Sequence, residues 1–581
     1  MCGIFGITGT ATTAADNVFA GLKNLEYRGY DSWGVALRSQ DGIEITKHVG
    51  KISDGRLEHS DVYEAVGHSR WATHGGVTLK NSHPHRVGEV VVVHNGIFEN
   101  YLEYKTKLED EIDFKSETDS EVIAALIHLE IQNGVSPQEA LSNTAEKIEG
   151  RFAILVLFDS MPGLWAVRRG SPLILGRGEE QTFIASDIPA FLEKTNVVNY
   201  LDDNQMAYLN KTDVDFWDLT TGEEIEKRNI EVEWDFESAE KGEHPHFMIK
   251  EILEQKETIA RAINQDKEQI DAFTKALKKA GGIYIIGCGT AHKAAMATEY
   301  FFAQIAGKKV NVVAASEMES FKSFIRPNTA LVCISQSGET ADIMEVVEYA
   351  QSVDATVLSI TNVASSSLAR ASEVALPVKV GPEKAVASTK ATTGQMTIGF
   401  LLAHAFADTF NIGLGVLLGA AANINDMINP RYEEHIESVA KQFKDCENLF
   451  IIGRGSLYPM ALEAAIKIQE VSYIHAQGFA AGELKHGPIA LIEEGTPCIV
   501  LGDDQGTISN AIELKSRGAV IIGISTGEHE VFDHWMRVPD AERAQPLVSI
   551  IPIQILSYHF ALLRGHDPDM PRNLAKSVTV K

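Results

Sequence analysis

The rhythm of apolar and polar positions divides the chain into two halves. In the first, short runs rich in β-branched residues recur at 3–7, 35–37, 88–93, 153–158, 164–168 and 182–184, separated by glycines and polar turns. These runs predict strands, and together they predict an α+β domain with stacked sheets between helices. Residues 234–246, WDFESAEKGEHPH, are acidic, polar and Pro-containing, which predicts a linker. Beyond it, strand-length apolar runs alternate with stretches of helical periodicity, which predicts α/β units with right-handed crossovers and parallel sheets.

The second half contains a repeat. YIIGCGT at 284–290 is matched by FIIGRGS at 450–456, each at the end of a strand and before an amphipathic stretch. The runs at 330–334 and 357–361 have counterparts at 498–501 and 520–526, at nearly the same offset. Two copies of one α/β domain explain this most simply, and ligands are expected at the carboxyl ends of the strands. The implied divisions are 2–235, a linker at 236–248, domains at 249–425 and 426–566, and a tail at 567–581.

The copies differ in the loop after the second predicted strand of the repeat. In the first it reads Ser335-Gln336-Ser337-Gly338-Glu339-Thr340, so hydroxyls and N–H groups gather at a helix N-terminus, a setting suited to a phosphate monoester. A plain helix cap is the other reading. In the second copy the loop is Gly502-Asp503-Asp504-Gln505-Gly506-Thr507, whose carboxylates would repel phosphate. The anion is therefore expected in the first copy.

Composition narrows the function classes. The chain has 581 residues, 52 Lys+Arg and 80 Asp+Glu, for a formal charge of −28. It is too long for one core, and its charge opposes nucleic acid and anionic membrane. The five cysteines show no paired spacing, which predicts reduced thiols without a zinc site or disulfide framework, as in a cytoplasmic protein. No export signal is read at the start, and the apolar stretch 396–422 is expected to form buried helices, not a membrane span.

Candidate chemistry in the first half starts at Cys2. If Met1 is removed, Cys2 carries both a thiol and an α-amine whose pKa is about 7.7–8.0 in model compounds, so the amine can activate the thiol. Asn95 and Gly96 follow an apolar run, and their side-chain amide and backbone N–H would form an oxyanion hole. A hairpin turn is the alternative for Asn-Gly. The tripeptides His83–His85 and His244–His246 are expected to be turns and not metal ligands.

MCGIFGI, LEYRGYDSWG, HSRWATHGG, HNGIFEN and SETDSEV together resemble the glutaminase domain of class II glutamine amidotransferases, which are N-terminal-nucleophile hydrolases. CGT, SQSGET, VASTKA, QEVSYIHAQGFAAGELKHGP and PRNLAKSVTVK are similar to the paired sugar-isomerase domains of the isomerising glutamine:fructose-6-phosphate aminotransferase family. The match runs in order over nearly the whole chain.

The resemblance implies that Cys2 attacks the side-chain amide of L-glutamine, with Asn95 and Gly96 stabilising the oxyanion. Arg70 and Asp119 would hold glutamine's α-carboxylate and α-ammonium, with Thr73 and His74 lining the pocket and Arg28 supporting it. Trp71 would gate an internal ammonia channel. In the second half, Ser335, Gln336, Ser337 and Thr340 would cradle the phosphate of fructose 6-phosphate, and Gly289, Thr290, Val386, Ser388 and Ala575 would contact the sugar. Glu470 would move a proton between C1 and C2, and Lys467, one helical turn earlier, would tune it or serve as a surface ion-pair partner. His486, from the neighbouring subunit of a homodimer, would open the ring, and Lys576 would form a Schiff base. No cofactor or metal is implied. Ala291 and Trp33 depart from the family pattern, at a position that often bears a hydroxyl and at one usually small. Competing readings are amination of another keto-sugar phosphate and a non-catalytic sugar-phosphate sensor.

Overall fold

The computed structural model describes residues 2–55, 57, 61–232 and 240–578. Met1 and most of the expected linker lie outside them. The chain forms two compact units, one of residues 1–240 with 575–581 and one of residues 241–574.

In the first unit the described residues build two antiparallel sheets. The larger has eight strands in the order Ile230–Glu231, Val197–Tyr200, Ile174–Arg177, Gln181–Ala185, Gly3–Gly9, Glu64–Arg70, Ser32–Ser39, Gly42–Val49. The smaller has six: Asp213–Asp218, Gln205–Asn210, Met161–Arg169, Phe152–Phe158, Val90–Gly96, His85–Val87. Because side chains alternate along a strand, each sheet can serve two cores. Ile4, Val66, Val91, Val93, Leu155 and Leu164 fill the space between the sheets. On the opposite face of the larger sheet, Phe5, Ile7 and Val35 pack on Val18 and Leu22 of the helix Ala14–Asn24. On the outer face of the smaller sheet, Val92, Ile154 and Val156 pack on Val122, Ile123 and Leu126 of the helix Ser120–Gln132. Every predicted strand of this half is present, and the unit is four layers deep.

Trp33 sits in the helix-side core, 2% exposed, stacked on His48 with ring centroids 4.5 Å apart and tilted against Phe19 at 5.5 Å. The large side chain is thus accommodated beneath the strand Ser32–Ser39.

The second unit holds two five-stranded parallel sheets with one strand order. The first runs Asn311–Ala314, Gly282–Gly287, Thr329–Ser335, Thr356–Thr361, Val374–Pro377. The second runs His475–Ala480, Asn448–Gly453, Pro497–Leu501, Val520–Ser525, His534–Arg537. In each, the earliest strand pairs with the second on one side and the third on the other, so the connections leave in opposite directions and open a crevice at its carboxyl end. The glycines of the repeated CGT and RGS motifs lie there with φ of +53° at Gly289 and +58° at Gly455, a conformation glycine adopts without steric cost. One apolar cluster joins both copies, from Met248 to Ala561.

The apolar stretch 396–422 falls in the helices Lys390–Phe406 and Phe410–Met427, the former buried through most of its length. The segment Glu542–Leu563 is long and apolar enough to cross a membrane by length and composition, but 89% of its most apolar window is buried within the protein.

Candidate active sites

Cys2 stands just before the central strand Gly3–Gly9, and Asn95–Gly96 ends the strand Val90–Gly96 of the facing sheet. The stacking brings them together: Asn95 Nδ2 donates to the Cys2 carbonyl at 2.7 Å. Asn-Gly is therefore a strand end and not a hairpin turn. Gly96 has φ +128°, and a Cβ there would lie 2.0 Å from the Arg151 carbonyl oxygen, so only glycine fits. The Cys2 thiol receives the Trp71 N–H at 3.1 Å and faces the Trp71 carbonyl at 3.4 Å. Burial pushes the thiol's pKa up, opposed by the Trp71 N–H and the Arg70 charge.

Arg70 ends the strand Glu64–Arg70 and is 3% exposed. Its guanidinium donates to the carbonyls of His74, Gly75 and Gly76, which fixes the loop after Trp71. Asp119, 4% exposed, accepts from the Phe98 N–H at 2.9 Å and the Ser120 hydroxyl at 3.3 Å. Each is held by its own neighbours; the Arg70 charge acts on the thiol and is itself felt by Asp119. They are not surface ions. His74 meets Tyr101 edge-on at 5.5 Å, Thr73 is exposed, and half-buried Trp71 meets Tyr30 edge-to-face at 5.8 Å. Arg28 is buried and pairs with Asp187, which also accepts from the Tyr27 hydroxyl at 2.6 Å. Asp31, to which no role was assigned from sequence, accepts the Ala72 N–H at 2.9 Å and braces the same loop.

The tripeptide His83–His85 is not a surface turn. His83 and His85 are buried with His68 and His94, and the His68 and His83 rings stack with centroids 3.9 Å apart. Partners from the strands Glu64–Arg70 and Val90–Gly96 draw the tripeptide inward. Among the described residues no group of three or more His, Cys, Asp or Glu is placed to hold a metal. Burial holds all four imidazoles neutral, with His68 pushed down to about 3. The unfolded chain takes up these protons from about pH 6.5 downward while the folded chain refuses them, so the stabilisation present above pH 6.5 falls as pH drops. At about pH 5 His68 alone should cost the first unit about 2 kcal/mol. Calorimetric scans between pH 7 and 5 should show its transition moving to lower temperature; an unmoved transition would contradict neutral burial.

In the second unit, the loop after the strand Thr329–Ser335 is shaped by its own hydroxyls. Ser335 Oγ accepts the Gly338 N–H at 2.9 Å and lies 3.4 Å from Thr340 Oγ1. Thr340 is the N-cap of the helix Ala341–Ser352, yet its side chain makes no capping bond, so the capping reading fails and the helix start keeps its donors. The second copy closes the equivalent place itself. Asp504 accepts the Gly506 and Thr507 N–H groups at 3.0 and 3.1 Å, and Asp503 accepts the Gly527 N–H at 2.8 Å. The contrast expected from the loop sequences is thereby given a structural cause.

Around this loop, Gly289 and Thr290 open the helix Gly289–Ala306, in which Ala291 is half-buried against the core. Ser388 donates to Glu383 at 2.9 Å. The Val386 N–H is already spent on the Asp569 carbonyl at 3.1 Å, so Val386 can offer a ligand only its own carbonyl. The helix Tyr458–Ser472 supplies the charged groups. Met460, Ala464, Ile468 and Val471 hold it to the core, and Glu463, Lys467 and Glu470 form a neighbouring stripe at helical spacing. Lys467 is fully buried, 2.8 Å from Glu470 and 3.5 Å from Glu463, so it is no surface partner. Sequence reading missed Glu463; the i, i+4, i+7 spacing of Glu463, Lys467 and Glu470 was the available signal. His486 is exposed on the short turn Leu484–His486, and Ala575 and half-buried Lys576 group with the first unit.

Comparison with known proteins agrees with this arrangement. A family model described as a glutamine amidotransferase domain matches residues 80–193, and one described as an SIS domain matches residues 276–405 and 442–564. A Thermococcus kodakarensis protein named glutamine-fructose-6-phosphate aminotransferase (isomerizing) is 40% identical over 604 aligned residues, covering 100% of both chains. A Clostridium acetobutylicum protein of the same name is 39% identical, again over 100% of both. The solved C-terminal domain of glucosamine-fructose-6-phosphate aminotransferase from Francisella tularensis is 31% identical with TM-score 0.52, covering 57% of this chain and 99% of that one. With Cys2 held under Asn95 in one unit, a buried carboxylate-lysine stripe in the other, and 40% identity over the whole length of such a protein, the chain belongs to the family of isomerizing glutamine-fructose-6-phosphate aminotransferases.

Proposed function

We propose that this chain transfers the amide nitrogen of L-glutamine to D-fructose 6-phosphate and isomerises the product to D-glucosamine 6-phosphate, releasing L-glutamate. The observation that carries the reading is the presence in one polypeptide of Cys2 under Asn95 and of the Lys467–Glu470 pair in the unit bearing the Ser335–Thr340 loop. An amide hydrolase alone has no use for the second, and a sugar-phosphate sensor has no use for the first.

After removal of Met1, the Cys2 α-amine takes the thiol proton and the sulfur attacks the glutamine amide carbon. Asn95 Nδ2 and the Gly96 N–H stabilise the oxyanion, while Arg70 and Asp119 hold the amino-acid end, with Thr73 and His74 beside them. The tetrahedral adduct collapses to a thioester, the protonated amine returns its proton to the departing ammonia, and water hydrolyses the thioester to glutamate. Ammonia passes an internal channel gated by Trp71.

At the other centre, Ser335, Gln336, Ser337 and Thr340 bind the phosphate, and Gly289, Thr290, Val386, Ser388 and Ala575 orient the sugar. His486 of the partner subunit in a homodimer opens the ring, and Lys576 forms a Schiff base with the C2 carbonyl, releasing water. Ammonia displaces the lysine to leave the ketose imine. Glu470 then takes a proton from C1 and delivers one to C2, which converts the imine to the amine and leaves an aldehyde at C1. The reaction belongs in the cytoplasm, where both substrates are at hand.

The test is direct: purified protein supplied with glutamine and fructose 6-phosphate should produce glutamate and glucosamine 6-phosphate in equal amounts. Glutamate without amino sugar, or amination of a different keto-sugar phosphate in preference, would refute the acceptor.

A further inference from the structure

Glu463 is the most deeply buried carboxylate near the proposed base, and the reaction as written above gives it no task. It is 0% exposed, projects from the helix Tyr458–Ser472 one turn before Lys467, and reaches across to the other isomerase copy. Its Oε1 accepts the Thr290 hydroxyl at 3.1 Å and lies 3.5 Å from Lys467 Nζ. Its Oε2 is buried with no hydrogen-bond partner. Lys467, also 0% exposed, donates in turn to Glu470 at 2.8 Å. One ammonium thus stands between two carboxylates, the inner one fully buried and Glu470 partly exposed, and a third residue, Thr290, ties the inner carboxylate to the wall of the sugar crevice.

We propose that Glu463 is a positioning residue for the proton transfer: its charge, passed through Lys467, sets how strongly Glu470 attracts the sugar's proton. The inference rests on the reading of Glu470 as the base. A carboxylate with one unpartnered buried oxygen is costly when ionised, so Glu463 is the member of the stripe that holds a proton most readily. Burial pushes its pKa up to about 7, with the Lys467 charge opposing and the Glu470 charge adding to the rise. The charged groups facing the stripe are Lys293 on the helix Gly289–Ala306 and Glu383 on the loop before the helix Lys390–Phe406. When Glu463 is neutral, the Lys467 charge acts on Glu470 undivided and weakens its pull on the sugar's proton. When Glu463 loses its proton, Lys467 is shared between two anions and that pull strengthens. No atom of Glu463 enters the sugar chemistry; it alters the driving force of a step that Glu470 performs.

The experiment follows the conversion of fructose 6-phosphate across pH in the wild type and in Glu463→Gln, Glu463→Asp and Glu470→Gln. The wild-type kcat should rise with pH through a limb near 7, where Glu463 loses its proton. Glu463→Gln keeps the shape and the Thr290 contact but cannot ionise, so that limb should vanish and kcat should stay at the wild-type low-pH level, with KM changed by no more than about twofold. Glu463→Asp should restore a titrating limb. A limb unchanged in Glu463→Gln while Glu470→Gln is inactive would overturn the role of Glu463 alone. Wild-type activity in Glu470→Gln would overturn the base assignment and this inference with it. A raised KM with kcat and its pH profile unchanged would reduce Glu463 to a support for Thr290 and overturn the proposal. Infrared titration of the unmodified protein gives a check that needs no variant to fold: a carboxylic-acid carbonyl band that fades through about pH 7 and is missing from the Glu463→Gln difference spectrum supports it, and no such band overturns it.

Discussion

Replacing Cys2 with alanine should lower glutamine-dependent formation of amino sugar by about 10⁴- to 10⁶-fold, the loss typical of removing a nucleophile from a catalytic unit that acts together. The expectation follows from the placement of the thiol. Cys2 sits at the start of a strand buried on both faces, and Asn95 from the opposite sheet already donates to its carbonyl. Burial pushes the thiol toward its neutral form, so sulfur becomes nucleophilic only where a base stands beside it. With Met1 removed, as proposed, the Cys2 α-amine would be such a base, its position set by covalent geometry. The same variant should still isomerise fructose 6-phosphate without a nitrogen donor, because no group of the second centre is touched. Coupled measurements of glutamate release and of sugar isomerisation separate the two; loss of both would contradict two separable centres.

Glu470→Gln should give the complementary result. Isomerisation and amino-sugar formation should fall by about 10²- to 10⁴-fold, the usual contribution of a general base, while glutamine hydrolysis persists. Glutamine preserves the shape and an acceptor for Lys467, which lies 2.8 Å from Glu470, so the helix Tyr458–Ser472 should remain packed. Deletion of the lysine would be a poorer experiment. Lys467 is wholly buried between two carboxylates, and removing it would leave them uncompensated at about 3–5 kcal/mol. Retained proton exchange at C1 in Glu470→Gln, read from solvent deuterium entering the sugar, would refute the assignment.

Much of this was legible before any coordinates. Short apolar runs rich in β-branched residues locate the strands, since a strand covered on both faces is buried at nearly every position. The offset between the CGT and RGS motifs revealed the repeat, and the difference between Ser335–Thr340 and 502–507 told which copy keeps an open helix start. The structure adds the reason, which is that Asp504 takes the helix-start donors that no capping side chain takes in the first copy.

The features that escaped depend on partners far apart in sequence. Glu463 reads as an ordinary helical carboxylate until Thr290, 173 positions away, closes over it. His83–His85 reads as a turn until His68 and His94 surround it. Val386 was expected to offer backbone to the sugar, and only the fold shows that Asp569 already holds its N–H. The resemblance assigns Arg70 to glutamine's α-carboxylate, and only the fold shows that its guanidinium is also held by three carbonyls of the following loop. Local pattern fixes elements and candidate groups; which polar atoms remain available is decided by tertiary pairing.

The central claim is that one nitrogen atom passes from glutamine to the sugar within this chain. Glutamine labelled at the amide nitrogen, supplied with fructose 6-phosphate and an excess of unlabelled ammonium, tests it by mass spectrometry of the product. Glucosamine 6-phosphate carrying the label in its amino group, in equal amount to the glutamate formed, is the predicted result. Unlabelled amino sugar, or labelled ammonia in solution with no amino sugar at all, would contradict it.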